Sequence, residues 1–128
     1  MRDESTLLSL RPDLGLDVSQ STPGESFQNH SLRPILKMQH PLLIQAFRHY
    51  IHKRKDIFYT LSKQAKKDWI GHSVRTDLQL RYLLVGIVAG HFTTSEMTWF
   101  LEHEADAVKR LTDLVIQRLQ SSLEELIP

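Results

Sequence analysis

Apolar positions from residue 43 onward return at steps of three, four and seven: Leu43, Phe47, Tyr50, Ile51, Ile57, Phe58 and Leu61. That spacing predicts one buried stripe on a helix opening at Pro41, where a missing N–H costs nothing. Arg48, His52, Lys53 and Lys55 fall outside the stripe. Ahead of it, Ser31 is placed to cap a short turn over Pro34 to Gln39, so two prolines are expected to mark helix starts. Ser62 is the expected cap of a further helix whose inward residues are Ala65, Trp69, Ile70 and Val74, with Lys63, Lys66 and Lys67 left wet.

The next stretch has almost no polar side. Leu78, Leu80, Leu83, Leu84, Val85, Ile87 and Val88 predict a central helix surrounded by others, opened or interrupted at Asp77. A buried strand is the rival for Val85, Ile87 and Val88, but a lone strand would leave its backbone groups unpaired and the chain offers no second one. Gly86 and Gly90, four apart, either admit a neighbouring helix closely or, in the case of Gly90, end this helix near the left-handed cap position. Thr94, Ser95 and Glu96 form a capping-type start before Met97, Trp99, Phe100 and Leu101. The last helix sets Val108, Leu111, Val115, Leu119 and Leu126 on one face, widened by Leu114 and Ile116.

The expectation is an all-α fold, a compact antiparallel helical bundle of four to five helices. Its centre is expected at Phe47, Ile51, Phe58, Trp69, Leu83, Ile87, Val108, Leu111 and Val115. Residues 1–30 differ. Pro12, Gly15, Pro23 and Gly24 punctuate them and their apolar residues sustain no period, so a mobile N-terminal arm over 1–30 and a helical bundle domain over 31–128 are expected.

At 128 residues the chain is one domain's worth, large enough for a core without disulfides or a structural metal. It has no cysteine, which removes thiolate ligands and nucleophiles and suits a reducing compartment. Without a membrane span or a secretory-type start, a cytoplasmic location is expected. The net charge of +1 conceals a sorting: residues 1–30 carry −3, 31–75 carry +8 and 76–128 carry −4. Such asymmetry bears on partners rather than on fold.

Lys53, Arg54, Lys55, Lys63, Lys66 and Lys67 straddle one turn and form a possible charged docking surface, for an acidic protein partner or for nucleic-acid phosphates. Arg48, Arg75 and Tyr59 would extend it. His49 and His52 could reach one ion, but a catalytic zinc normally has a third protein ligand and the neighbouring cations oppose it. His91 with Glu96, and Glu102 with His103 and Glu104, are acid and imidazole neighbours suited to acid–base work, and equally common at helix ends. No catalytic residue, metal or cofactor is assigned.

Phe27, Gln28, Leu32, Arg33, Pro34, Ile35, Leu36, Lys37 and Gln39, then Phe58, Tyr59, Leu61, Ser62, and later Gly86, Ile87, Gly90, Phe92 and Thr93 resemble an uncharacterised all-helical bacterial family. Its members sometimes carry an automatic glyoxalase label. The resemblance runs from Phe27 to Gln120 and implies a helical fold, but no functional residues. His40 and Tyr82 stand where the family pattern has Asn. Glyoxalase-type metal enzymes need strand-borne or clustered His and acid ligands that this chain does not offer. The leading expectation is a self-associating helical interaction or scaffold module, the alternative a nucleic-acid-binding accessory protein using the basic 48–75 stretch, and an enzyme the weakest.

Overall fold

The computed structural model describes residues 2–16 and 22–128, in which the regular elements are all helical and no strand occurs among the described residues. Two short helices, α1 (Glu4–Ser9) and α2 (Pro23–Phe27), precede α3 (Arg33–Lys53), α4 (Lys63–Thr76), α5 (Leu78–Ala89), α6 (Thr94–Glu102) and α7 (Glu104–Gln120). Lys53 and Arg54 lie beside Asp77 while Gln39 donates to the Ile87 carbonyl at 3.1 Å, so α3 and α5 run antiparallel. The α4 and α7 helices also pack together, tied where Gln120 donates to the Lys67 carbonyl.

Helix starts follow local chemistry. Ser62 accepts from the Ala65 N–H and opens α4, as its side chain predicts. Asp77 accepts from the Leu80 N–H at 3.1 Å to open α5, and receives the Arg54 guanidinium at 2.9 Å. The Asp77→Ala variant is expected to lose about 1 kcal/mol of stability, measured by urea unfolding, with fraying confined to the start of α5. For α6 the cap is Thr93, one residue earlier than expected, and Glu96 returns the bond to the Thr93 N–H.

Several expectations are corrected. Neither Pro34 nor Pro41 opens a separate element: Pro34 sits in the first turn of α3 and Pro41 lies inside it, on an exposed face. Ser31 is no cap either. It belongs to a π-helical turn, Gln28–Leu32, that joins α2 to α3 and turns its hydroxyl toward Glu96. The stripe from Leu43 to Leu61 is not one helix, because Lys55 and Asp56 take positive φ (61° and 58°) after α3 ends. A 3₁₀ turn, Ile57–Thr60, then returns Phe58 to the core and leaves Ile57 exposed.

The core joins Leu32, Ile35, Phe47, Ile51, Phe58, Ile70, Leu84, Val88, Leu111, Val115 and Leu119. Trp69, Ile87 and Val108 pack against it from partly buried positions. Leu83 does not belong to it. The α5 helix is not surrounded: Leu80, Leu84, Val85 and Val88 face inward, while Leu78, Tyr82 and Leu83 are 52, 59 and 51 % exposed. Gly86 has nothing within 4 Å of an added Cβ, and Gly90 ends α5 with φ −61° rather than in the left-handed region. Neither glycine is there to admit a neighbour within this chain.

The first thirty residues are built onto the bundle where they are described. Phe27 is a core residue, stacked on Trp99 at 4.5 Å and edge-on to Phe92 at 5.5 Å. The boundary expected at residue 30 therefore falls inside a continuous helical rod.

Candidate functional site

The α5 helix leaves the polar residues Asp77 and Gln79 and the bulky apolar ones at its N-terminal half, and Gly86, Ala89 and Gly90 at its C-terminal half. Its outward face thus has bulk at one end and small residues at the other. No side chain of the described chain covers Tyr82 or Leu83 to the point of burial, and Arg81 lies 5.7 Å from the Tyr82 ring centre.

Two recesses flank this face. One, of about 730 Å³, is lined by Lys53, Arg54, Lys55, Ile57, Trp69 and Leu78 among others. The second, of about 490 Å³, shares Tyr50, Lys53, Arg54, Asp77 and Gln79 with the first and reaches Leu83. The shared wall makes them one continuous surface. Arg54 is committed within it, bonded to Asp77, which raises its pKa further, and lying 5.2 Å from the Tyr50 ring centre. The Leu80 N–H first, and Arg54 after it, hold the Asp77 carboxyl below the ordinary range. Lys53 and Lys55 make no ion pair among the described residues.

The six cations singled out in the sequence are therefore divided. Lys53, Arg54 and Lys55 share a recess, while Lys63, Lys66 and Lys67 stand on the first turns of α4 and line none of the five main recesses. Lys66 rests its ammonium 5.6 Å from the Phe58 ring centre. Of the proposed extensions, Arg48 and Tyr59 belong to another groove and Arg75 lies 3.8 Å from Asp113.

That groove, of about 1050 Å³, runs along α3 and is lined by His40, Ile44, Arg48, His49, His52 and Tyr59 among others. His40 is held from both sides. Arg118 approaches its Nδ1 at 3.4 Å and both Glu125 oxygens stand 3.0 Å from its Nε2. Burial, then the charge of Arg33, lowers the Arg118 pKa. His52 lies 3.7 Å from Asp56, and among the described residues no three of His, Asp and Glu are grouped to hold a metal ion.

The acid and imidazole neighbours take structural positions. Arg11 donates to Glu96 at 2.7 and 2.6 Å, with side chains only 8 and 15 % exposed, and Ser31 and the Thr93 N–H bond to the same carboxylate. Burial pushes the Glu96 carboxyl up, and Arg11 with these other donors outweighs it, so its pKa lies below the ordinary value. His91 offers Arg11 its carbonyl rather than its ring. His103 stacks on Trp99 at 4.2 Å and bonds the Trp99 carbonyl. None of His91, Glu96 and His103 lines a main recess.

Sequence reasoning singled out the cations but missed the exposed face of α5 and the role of Arg11. The change from bulky to small residues along 78–90 was the readable signal for the first; the lone Arg11 gave none. No family model matches the chain, and no curated protein or solved structure matches it. Among the described residues, no helix is long and apolar enough to cross a membrane.

Proposed function

We propose that this chain is a helical interaction module that associates with itself, using the outward face of α5 and the flanking basic recess. The observation that carries this reading is an apolar helix face left open: Leu78, Tyr82 and Leu83 are each more than half exposed on consecutive turns, next to recesses that also expose Ile57. Contiguous apolar surface of this kind marks docking sites, whereas scattered apolar residues do not. Aromatic residues with flanking cations have the composition of interface centres. A cytoplasmic setting fits the cysteine-free composition.

Light scattering after size exclusion tests it. The expected mass rises with concentration toward twice the 14.9 kDa of one chain, and the Leu83→Arg variant stays monomeric with an unchanged helical spectrum. A wild-type chain that remains monomeric at every concentration and salt would sink the reading.

The second reading, a nucleic-acid accessory role, rests on Tyr50 and Trp69 lining the same recess as Lys53, Arg54 and Lys55. Aromatic planes beside unpaired lysines suit single-stranded bases and phosphates. Filter binding at low salt decides it: retention of single-stranded RNA or DNA must fall in Lys53→Glu with Lys55→Glu, and its absence in the wild type removes the reading.

A further inference from the structure

The outward face of α5 has an internal order that bears on how two copies would meet. Its exposed positions 78, 79, 82 and 83 are Leu, Gln, Tyr and Leu, whereas 86 and 90 are Gly, with the small Ala89 at the edge of the face, partly buried against the core. Placing two such helices side by side in parallel sets Tyr82 on Tyr82 and Gly86 on Gly86, crowding one end and leaving a void at the other. An antiparallel pair sets each Tyr82 over the partner copy's glycine-bearing turn and each Leu78 near the partner copy's Ala89. Close packing favours large against small, and the opening at Gly86, with nothing within 4 Å of an added Cβ, can receive a ring.

Charge agrees with this direction. At the N-terminal end of α5, Lys53 and Lys55 line the recess that contains Leu78 and Gln79, without an ion pair among the described residues. At the C-terminal end sits the arm: Arg2 donates to the carbonyls of Phe92 and Gly90 at 2.7 and 3.1 Å, and Glu4 accepts from the Thr94 N–H. Asp3 lies between them, its carboxyl lowered to about 2 by the Thr6 and Ser5 hydroxyls and the Thr6 N–H, so it is charged at neutral pH. Arg2 also lies 3.9 Å from Glu4, so Arg2 offsets one of the two carboxylates and the arm's tip, with Asp3 and Glu4, keeps a net negative charge. Antiparallel pairing therefore brings the basic end of one copy to the acidic arm of the other, and does so twice. Area makes the same demand. A helix of this length presents a strip about 18 Å long, too little for the roughly 800 Å² per partner of a stable interface, so the recess and the arm are needed to complete it.

We infer that the second copy docks isologously, with the two α5 helices antiparallel and the arm of each chain against the Lys53–Lys55 recess of the other. This rests on the self-association proposed above and names its geometry. The interface is self-complementary, so it closes at two chains and does not propagate.

The absence of native cysteine makes the test direct. Leu78→Cys and Ala89→Cys are prepared separately, mixed, and oxidised at a concentration where light scattering shows pairing. The 11-residue separation is about 16 Å along the helix, beyond the reach of a disulfide formed out of register. The expected result is a mixed 78–89 cross-link, at least tenfold more abundant than either self-cross-link. Self-cross-links of 78 to 78 and of 89 to 89, with pairing intact, would overturn the antiparallel arrangement while leaving self-association standing; loss of pairing in the wild type overturns both. In a second measurement, Lys53→Glu with Lys55→Glu should raise the midpoint of pairing about tenfold. An unchanged midpoint would overturn the placement of these lysines against the arm.

Discussion

Replacing Glu96 by alanine is expected to cost about 3–5 kcal/mol of folding stability, because it strands a buried charge. The Glu96 carboxylate accepts two bonds from Arg11, one from Ser31 and one from the Thr93 N–H. Removing it leaves the Arg11 guanidinium almost wholly enclosed with only the His91 carbonyl for a partner. Replacing both groups by neutral residues of similar shape, as in Arg11→Met with Glu96→Gln, should recover most of the loss, since a desolvated ion pair gives back much of its attraction as desolvation cost. Urea unfolding of Arg11→Met, Glu96→Gln and the double reads the coupling directly. Additive losses would mean that the two groups act independently.

The same group fixes an acid limb. Its folded pKa lies below the ordinary glutamate value, so the unfolded chain binds the proton more readily. The stabilisation from Glu96 is full above about pH 4.5 and is lost as pH falls through the folded pKa. Glu96→Gln should accordingly flatten the stability profile below about pH 4.5, and change it little in shape between pH 6 and 8.

How much of this was legible depends on what a residue's neighbours in sequence can report. Ser62 caps as read, and Asp77 takes the capping one of its two readings, because a cap is a local bond, completed within three residues. The inward positions of α7, Leu111, Val115 and Leu119, were legible for a similar reason: its apolar stripe, widened by Leu114 and Ile116, faces a side that is mostly charged or polar. The α5 helix fails the same test. When nearly every position is apolar, periodicity says nothing about which side is covered, and Leu83 was read as core while it faces outward. Lys55 and Asp56 hide a helix end for another reason, since no glycine marks their left-handed backbone and the 3₁₀ turn restores Phe58 to its expected side. At the candidate surface, the lysines of α3 and α4 could be listed but not sorted. Whether a cation is free or committed is decided by residues as distant as Arg54 and Asp77, and the sequence does not display that pairing.

Phe27→Ala is expected to lose about 3–5 kcal/mol, although sequence pattern assigns residue 27 to an arm outside the domain. Its ring fills the space between α6 and the turn before it, stacked on Trp99 and in contact range of Phe92 and Phe100. Truncation leaves a cavity walled by those three rings, beside the π-helical turn at Gln28–Leu32 that leads into the buried Leu32 and Ile35. The contrast is Leu8→Ala on α1, where the side chain is half exposed and a surface change costs about 0.5 kcal/mol or less. Both variants, measured by urea unfolding, set where the folding unit begins. A loss below about 1 kcal/mol for Phe27→Ala would return the boundary to residue 30; a loss of the expected size places it ahead of Phe27. The arm that the inferred pair requires would then be attached to a rigid rod, with α2 as part of the core rather than of a tether.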